Sequence, residues 1–499
     1  MNLNMRVSFI FSFIWLVTLP SFCQIQIGQD IDGESANDQS GKSVSLSSDG
    51  SILAIGAHKN SGNGMESGHV RVYQNQSGNW VQIGQDIDGE DEFDQFGISV
   101  SLSADGSTLA VGGSTNNSPN GIDSGHVRVY GNSGGSWIQI GSDLDGESAF
   151  DISGISVSLS SDGSIVAIGA DNNDGNGDSS GHVRVFENIA GVWTQIGSDI
   201  DGELSGDRFG RSVSLSSDGS KLAVGAHRNS GSGFESGHVK VYENVAGSWI
   251  QVGQDIDGEA AEDLSGYSLS LSSDGSIVAV GAYRNDGNGM NSGHVRVYEN
   301  VFGNWIQIGQ DIDGEAAGDA SGFSVDISSD GSVLAVGAPG NSQNGNLSGN
   351  VRVYQNTGGL WTQVGTDIDG EAIEDQSGHS LSLSLDSSKI AIGANRNDGN
   401  GIDSGHVRVF DIGNILSISE LNLSNFINLY PNPVKNTLSF RSLKRIHSIE
   451  IYGLLGEHLL TTTLFSFTGK VDMTSFKSGI YLIKIKVGGQ IIFYKVVKS

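Results

Sequence analysis

The chain has 499 residues, enough for two to four domains, with 73 glycines, 5 prolines, one cysteine (Cys23) and a formal net charge of −30. The charge argues against a nucleic-acid partner, because a phosphate backbone would be repelled. The lone cysteine excludes structural disulfides and a zinc–thiolate site, and 17% charged residues without long Leu/Glu/Lys/Ala runs exclude a helical bundle.

Residues 1–23 read as a secretory signal peptide. Arg6 gives a positive start, residues 7–19 are mostly apolar, Pro20 ends the run, and Ser21 and Cys23 are small residues at −3 and −1. A lipoprotein signal would need a small residue where Phe22 stands. The run is too short to span a membrane, and no later apolar run reaches ~18 residues, so no transmembrane segment is expected in a chain starting at Gln24.

From Gln24 to about residue 415 one unit repeats seven times. The glycine opening its Gly-x-Asp-x-Asp-Gly-Glu stretch falls at Gly28, Gly84, Gly141, Gly197, Gly253, Gly309 and Gly365, a period of about 56. Within a unit, residues 43–47 (SVSLS), 52–56 (ILAIG), 69–73 (HVRVY) and 80–84 (WVQIG) read as four strands, the first two joined by the Ser-Asp-Gly-Ser turn at 48–51. Four strands per unit and seven units predict an all-β, seven-bladed β-propeller. The small face of SVSLS suits the crowded axis. Trp80, Trp137, Trp193, Trp249, Trp305 and Trp361 on the outermost strands suit packing between blades. The array opens with a fourth strand at 24–28 and stops after a third at 407–410, so the N-terminal strand is expected to complete the seventh blade, with Gln24 in the tryptophan's place.

Alternating strand direction puts the long second-to-third and blade-to-blade loops on one face. Each second-to-third loop keeps an asparagine (Asn60, Asn116, Asn173, Asn229, Asn285, Asn341, Asn397), and the copies diverge just before it. That divergence is consistent with ligand contact or with simple loop drift. It supplies the candidate ligand-binding residues His58, Lys59, Asp171, His227, Arg228, Tyr283, Arg284 and Arg396. Asp171 and His227 are the nearest approach to a catalytic pair, yet no acid, base or nucleophile set stands out, so no enzyme is expected.

Each blade-to-blade loop carries four acids at positions 1, 3, 5 and 9. The sets are Asp30/Asp32/Glu34/Asp38, Asp86/Asp88/Glu90/Asp94, Asp143/Asp145/Glu147/Asp151 and Asp199/Asp201/Glu203/Asp207, followed by Asp255/Asp257/Glu259/Asp263, Asp311/Asp313/Glu315/Asp319 and Asp367/Asp369/Glu371/Asp375. Oxygen ligands spaced this way around a glycine suit calcium; the other reading is an acidic Asx-type turn copied by duplication. The recurring His69, His126, His182, His238, His294 and His406 (Asn350 in the sixth copy) read as structural, and Asp326 stands where other copies have an inner-strand serine.

Phe96-Gly97 and Phe209-Gly210 before a first strand, and Gly337-Ala338-Pro339 after a second, make the unit resemble the FG-GAP repeat of integrin-α-type propellers. That family's calcium loop would lie between those strands, where this chain has only a tight turn, so its metal sites do not transfer.

After a linker (416–423), residues 424–499 change character, with ten Lys/Arg against three Asp/Glu and no repeat, and read as a small C-terminal β-sandwich. Leu429-Tyr430-Pro431-Asn432-Pro433, Gly456-Glu457, Gly479-Ile480-Tyr481 and the terminal Lys495-Val496-Val497-Lys498 resemble the C-terminal sorting domain of type IX secretion substrates of Bacteroidetes. The resemblance implies the type IX machinery as partner, with Tyr430, Pro431, Asn432, Pro433, Gly456, Gly479, Tyr481, Lys495 and Lys498 as sorting residues. It also implies passage through the periplasm to the outer-membrane surface or the medium. The expected function is a non-catalytic binding or adhesion module for a surface glycan or extracellular protein. The alternatives are an extracellular enzyme on polysaccharide or protein, or a ligand-free surface protein.

Overall fold

A computed structural model describes residues 24–413, 427–453, 458–487 and 490–499. The expected signal peptide, the linker and Gly456 lie outside the described residues. The repeats form a seven-bladed propeller of antiparallel sheets. The first complete blade runs Ser43–Leu46, Ile52–Ala57, His69–Gln76 and Asn79–Gln82 from axis to rim. A two-residue strand that sequence reading treats as loop, Ile87–Asp88, folds back onto the third strand, pairing with Val70 and His69. Its isoleucine is buried and anchors the blade-to-blade crossing.

The ring closes as expected. Ile25 pairs with Asp411 and Gln26 with Phe410, the Ile27 amide donates to the Val409 carbonyl at 2.7 Å, and Ile31 and Asp32 pair with Val407 and His406. The N-terminus thus supplies the seventh blade's outer strand, which leaves no gap in the ring.

Three sets of side chains join neighbouring blades. Near the axis, Ser43 Oγ donates to the Gly97 carbonyl of the next blade at 2.8 Å; Ser99, Ser156, Ser212, Ser268, Ser324 and Ser380 repeat this onto Gly154, Gly210, Gly266, Gly322, Gly378 and Gly41. One step along the strand, Ser45 Oγ accepts from the Leu102 amide (3.0 Å), a second ring in which Asp326 takes a serine's place. At the rim, each tryptophan indole N–H donates to a carbonyl of the preceding blade, Trp80 to Ile27 at 3.0 Å and Trp361 to Ile308 at 2.9 Å. Gln24 takes this part for the seventh blade, donating to the Thr366 carbonyl at 2.6 Å.

These contacts explain the glycines of the repeat. Gly97 has φ +90° and its carbonyl receives Ser43; a Cβ on Gly56, in the second strand of the preceding blade, would overlap that same carbonyl. Phe96 and Phe209, which precede two of these glycines, are buried: Phe96 meets the Tyr130 ring edge-on, and Phe209 meets Tyr242 likewise.

The C-terminal segment is a five-stranded antiparallel sheet with two long strands, Thr437–Gly453 and His458–Asp472. The sheet curls, so that Leu438 and Phe440 from one end and Ile449, Ile451, Ile483, Ile485 and Val496 from the other share one core. The proline-rich motif docks on the last strand: Asn432 Oδ1 accepts from the Val497 amide (2.8 Å) and the Val434 amide donates to the Val497 carbonyl (2.7 Å). Gly479 pairs with Lys498, Leu482 with Lys495 and Tyr481 with Val496.

Deleting residues 24–32 from a chain that begins at Gln24 removes both closing strands. It should lower the melting temperature by several degrees in circular dichroism, whereas an unchanged midpoint would show that the ring does not depend on this closure.

Candidate functional site

The two faces of the propeller differ. On the face of tight turns, Asp49 Oδ1 accepts from Ser47 Oγ and the Ser51 amide, both at 2.9 Å, and the same Asx turn recurs at Asp105, Asp162, Asp218, Asp274, Asp330 and Asp386. The opposite face carries the long loops and both groups of candidate residues.

The four acids of a loop set, spaced in sequence like the ligands of one calcium ion, are divided among different partners. At position 1, Asp30 accepts from Gln26 Nε2 (2.7 Å) and lies 3.9 Å from His406 of the seventh blade. The Gln–Asp pairing recurs at Asp86, Asp143, Asp199, Asp255, Asp311 and Asp367. At position 3, Asp32, Asp88, Asp145, Asp201, Asp257, Asp313 and Asp369 belong to the short crossing strands, each paired with the first residue of a third strand. Their backbone is used as well: the Asp313 carbonyl accepts from the Arg352 guanidinium at 2.9 Å.

At position 5 the acid meets a cation of the next blade in most copies. Glu34 faces Arg71 (3.6 Å) and His69 (4.0 Å), Glu203 pairs with Lys240, Glu259 with Arg296 (3.2 Å) and Glu371 with Arg408 (3.5 Å). Glu315 instead accepts from Gln343 Nε2 at 2.8 Å. At position 9 the acid is buried and caps its own turn. Asp38 accepts from the Ser35 amide (2.8 Å) and Asn60 Nδ2 (3.1 Å), which explains the recurring asparagine. Asp151, Asp207 and Asp263 accept from Asn173, Asn229 and Asn285 in the same way, each at 3.1 Å. Asp94, Asp319 and Asp375 are buried too and accept from the amides of Asp91 (2.9 Å), Ala316 (2.9 Å) and Ala372 (2.7 Å). The position-9 acids are therefore turn caps, and the Asx-type alternative describes them better than a loop ligand does.

What does converge is an acid from each of two successive loops on a strand-start histidine. Glu34, His69 and Asp86 lie within 4.8 Å of one another, as do Glu90/His126/Asp143 and Glu147/His182/Asp199. These trios are the groups a cation would use, but each sits beside a third-strand cation. Arg71 pairs with Glu34, Arg128 with Glu90 and Asp143, and Arg184 with Glu147. The guanidinium already supplies the positive charge. Burial pushes His69, His126 and His182 down to about 4, so these rings are neutral at pH 7.

The asymmetry of the molecule is concentrated where the central channel opens on the long-loop face. The residue just before each inner-strand serine lines a cavity of about 290 Å³, and around the ring it reads Lys42, Ile98, Ile155, Arg211, Tyr267, Phe323 and His379. Sequence reading missed this position. The signal was there: it varies almost completely while the inner-strand serine beside it never changes. All seven side chains are half-buried, walled by protein yet open to the channel.

The ring has three sectors. Ile98 and Ile155 form an aliphatic side. An aromatic arc runs from Tyr267 through Phe323 to His379, with ring centroids 5.0 and 4.9 Å apart, and Tyr283 adds to it 4.6 Å from Tyr267. Two cations flank the arc. Arg211 lies over the Tyr267 ring at 4.6 Å and donates to its hydroxyl at 2.7 Å; Lys42 Nζ lies 3.4 Å from His379 Nε2. Burial, then Arg211, Lys59 and Arg396, lowers Lys42 to about 8.

The eight candidate ligand residues surround this mouth. His58, Asp171 and His227 are buried behind it; Tyr283 joins the arc; Arg228, Arg284 and Arg396 stand around it. Lys59 and Arg228 approach Glu66 and Glu235 at 4.0 and 3.7 Å. Asp171 and His227 do not form a dyad: Asp171 Oδ1 and His227 Nδ1 each lack a hydrogen-bond partner. Burial raises the carboxyl of Asp171, and burial together with Arg211 lowers His227.

Residues 428–499 match the secretion system C-terminal sorting domain family, and residues 200–242 match the FG-GAP repeat family. The chain carries an FG-GAP repeat and a type IX secretion sorting domain. The sorting domain directs it to the cell surface or the medium, with the type IX machinery as its export partner. No curated protein matches the chain. Among solved structures it is similar to the periplasmic gluconolactonase PpgL of Pseudomonas aeruginosa, at 16% identity and TM-score 0.47, covering 84% of this chain and 98% of that one. It is also similar to PorZ, a surface component of the type IX secretion system of Porphyromonas gingivalis, at 13% identity and TM-score 0.41, covering 94% and 60%. The GH74 xyloglucanase of Xanthomonas campestris gives 13% and 0.44, covering 76% and 54%. Likeness at this level assigns no function. Among the described residues no helix is long and apolar enough to cross a membrane.

Within the propeller, Asp326 is a half-buried carboxylate in the serine ring, accepting from Ser270 Oγ and the Leu383 amide, both at 2.7 Å. Burial raises it to about 6. A carboxyl raised on folding stabilises below its unfolded value near 4 and loses that contribution as pH rises through 6, a swing of roughly 3 kcal/mol. Asp326→Ser restores the residue of the other blades. Its melting temperature should gain on the parent's between pH 4 and pH 7.5; a pH-independent gap would place the carboxylate in a wetter site.

For the acidic loops, the ion pairs and turn caps above predict that melting curves in chelator and in millimolar Ca²⁺ coincide at matched ionic strength. A midpoint rising with Ca²⁺ would instead assign a cation to the Glu–His–Asp trios.

Proposed function

We propose that this is a non-catalytic binding propeller, exported by type IX secretion, whose ligand sits at the channel mouth on the long-loop face. The observation that carries it is the contrast between a scaffold repeated in every blade and a mouth that differs at nearly every blade. Duplication copies whole units, and the clamping serines and glycines stay in place, so variation concentrated at the lining position and in the loops around it is what a single asymmetric ligand would select. Half-buried aromatic and cationic side chains around a concavity also match the make-up of small-ligand sites.

An extracellular enzyme is the second reading, favoured by one observation: Asp171, His227 and Arg211 place perturbed titratable groups at the same mouth. Screening the mature chain on an array of surface polysaccharides and extracellular proteins, with product analysis of every hit, separates the readings. Saturable binding with intact ligand is expected. Cleaved ligand would establish the enzyme, and no retained ligand of any class would leave a structural surface protein.

A further inference from the structure

The charge of the propeller is distributed unevenly. Residues 24–413 hold sixteen Lys/Arg in a strongly acidic segment. Seven are third-strand residues, one per blade, engaged by blade-linking bonds or acids, such as Arg71 donating to the Asp32 carbonyl (2.7 Å) and Arg296 to that of Asp257 (2.8 Å). Two more, Lys221 and Lys389, cap turn carbonyls on the opposite face. The remaining seven all gather at the channel mouth: Lys42 and Arg211 in the ring, and Lys59, Arg208, Arg228, Arg284 and Arg396 around it. Among the described residues, neither Lys42 nor Arg211 has a carboxylate within salt-bridge distance; their polar partners are His379 and Tyr267.

A second observation is independent of charge. Five buried polar atoms around the mouth have no partner, His58 Nδ1, Asp171 Oδ1, His227 Nδ1, His379 Nδ1 and Asn395 Oδ1, as do others elsewhere in the propeller such as Ser40 Oγ and Asp94 Oδ1. The five mouth residues are not repeated in every blade. Buried polar groups left unpaired are costly, and of these residues His379 lines the cavity itself, beside Lys42.

From these we infer that the channel mouth binds an anionic saccharide residue, its acid group held by Lys42 and Arg211 and its ring face against the Tyr267–Phe323 arc. This rests on the binding reading above and adds the ligand class. An acid group matches two unpaired cations at the edge of the arc. The aromatic faces take the C–H face of a ring. The cavity has the size for one terminal residue rather than a chain threaded through the channel. A carboxylated and a sulfated sugar share this chemistry.

The test uses the mature chain and titration calorimetry with oligogalacturonate, a sulfated galactan and a neutral galactan. The variants are Lys42→Ile and Arg211→Ile, because isoleucine is what the second and third blades carry at this position, so the fold should tolerate it. The parent should bind at least one acidic ligand and not the neutral one, with affinity falling as NaCl rises. Each variant should weaken binding about tenfold or more. Which acidic ligand binds tells carboxylate from sulfate. Equal binding of neutral and acidic ligands, or variants that bind acidic ligand as the parent does, would overturn the anionic site while leaving a binding propeller in place. Failure of all three ligands in a chain that retains another ligand on the array overturns the anionic site alone, and failure on the array as well overturns both.

Discussion

The structure depends on one contact made seven times: an inner-strand serine hydroxyl on the carbonyl of a glycine in the next blade, with a second glycine making room for it. Ser43, Gly97 and Gly56 are one instance. Blades converge at the axis, so apolar side chains large enough to pack there would hold them apart. A hydroxyl meets a backbone carbonyl at close range and satisfies both groups in a place with little room for water. The bulk of the packing is displaced outward. Leu53, Ile55, Val70 and Val72 are essentially inaccessible, and the tryptophans close the rim.

This explains what the sequence made legible. Period, strand number, closure and the tryptophan role are properties of the repeat, and seven copies of each signal average out local ambiguity. Closure was readable because the array is out of phase with its ends, which only one pairing resolves. The acidic loops were harder. Asp30, Glu34 and Asp38 are spaced like calcium ligands, but their partners, His406, Arg71 and Asn60, come from different blades and loops. Spacing along the chain says nothing about which neighbour a side chain will face. The two-residue strand at Ile87–Asp88 was hidden for a related reason, being too short to show alternation.

The mouth residues were missed because a repeat draws the eye to what is constant. Lys42, Arg211, Tyr267, Phe323 and His379 each look unremarkable in a single unit, a lone residue between glycine and serine. Their meaning appears only when the ring is closed and the position is read around the axis rather than along the chain. Asp171, His227 and Tyr283 were singled out because they lie in a loop where the copies diverge. Divergence in a loop is ambiguous between drift and contact. Divergence at the edge of an inner strand, flanked by residues that cannot change, is less so.

The same geometry makes the asymmetry cheap in stability. The side chain before each clamping serine lines the channel, so isoleucine, lysine, arginine and tyrosine all fit without disturbing the serine–glycine contact beneath. The outer face keeps its acids, repeated in every blade, with third-strand arginines and lysines set among them. A cationic centre inside such a rim would focus the local field on the cavity: the rim repels anions from elsewhere on the face, while Lys42 and Arg211 attract one at the axis. The crowding of like charges that adds to burial in lowering Lys42 has the same origin, and an anion seated between the two would relieve it. Scaffold and site are thus separated by one residue of sequence, with the serine holding the ring together and its neighbour free to choose what the ring receives.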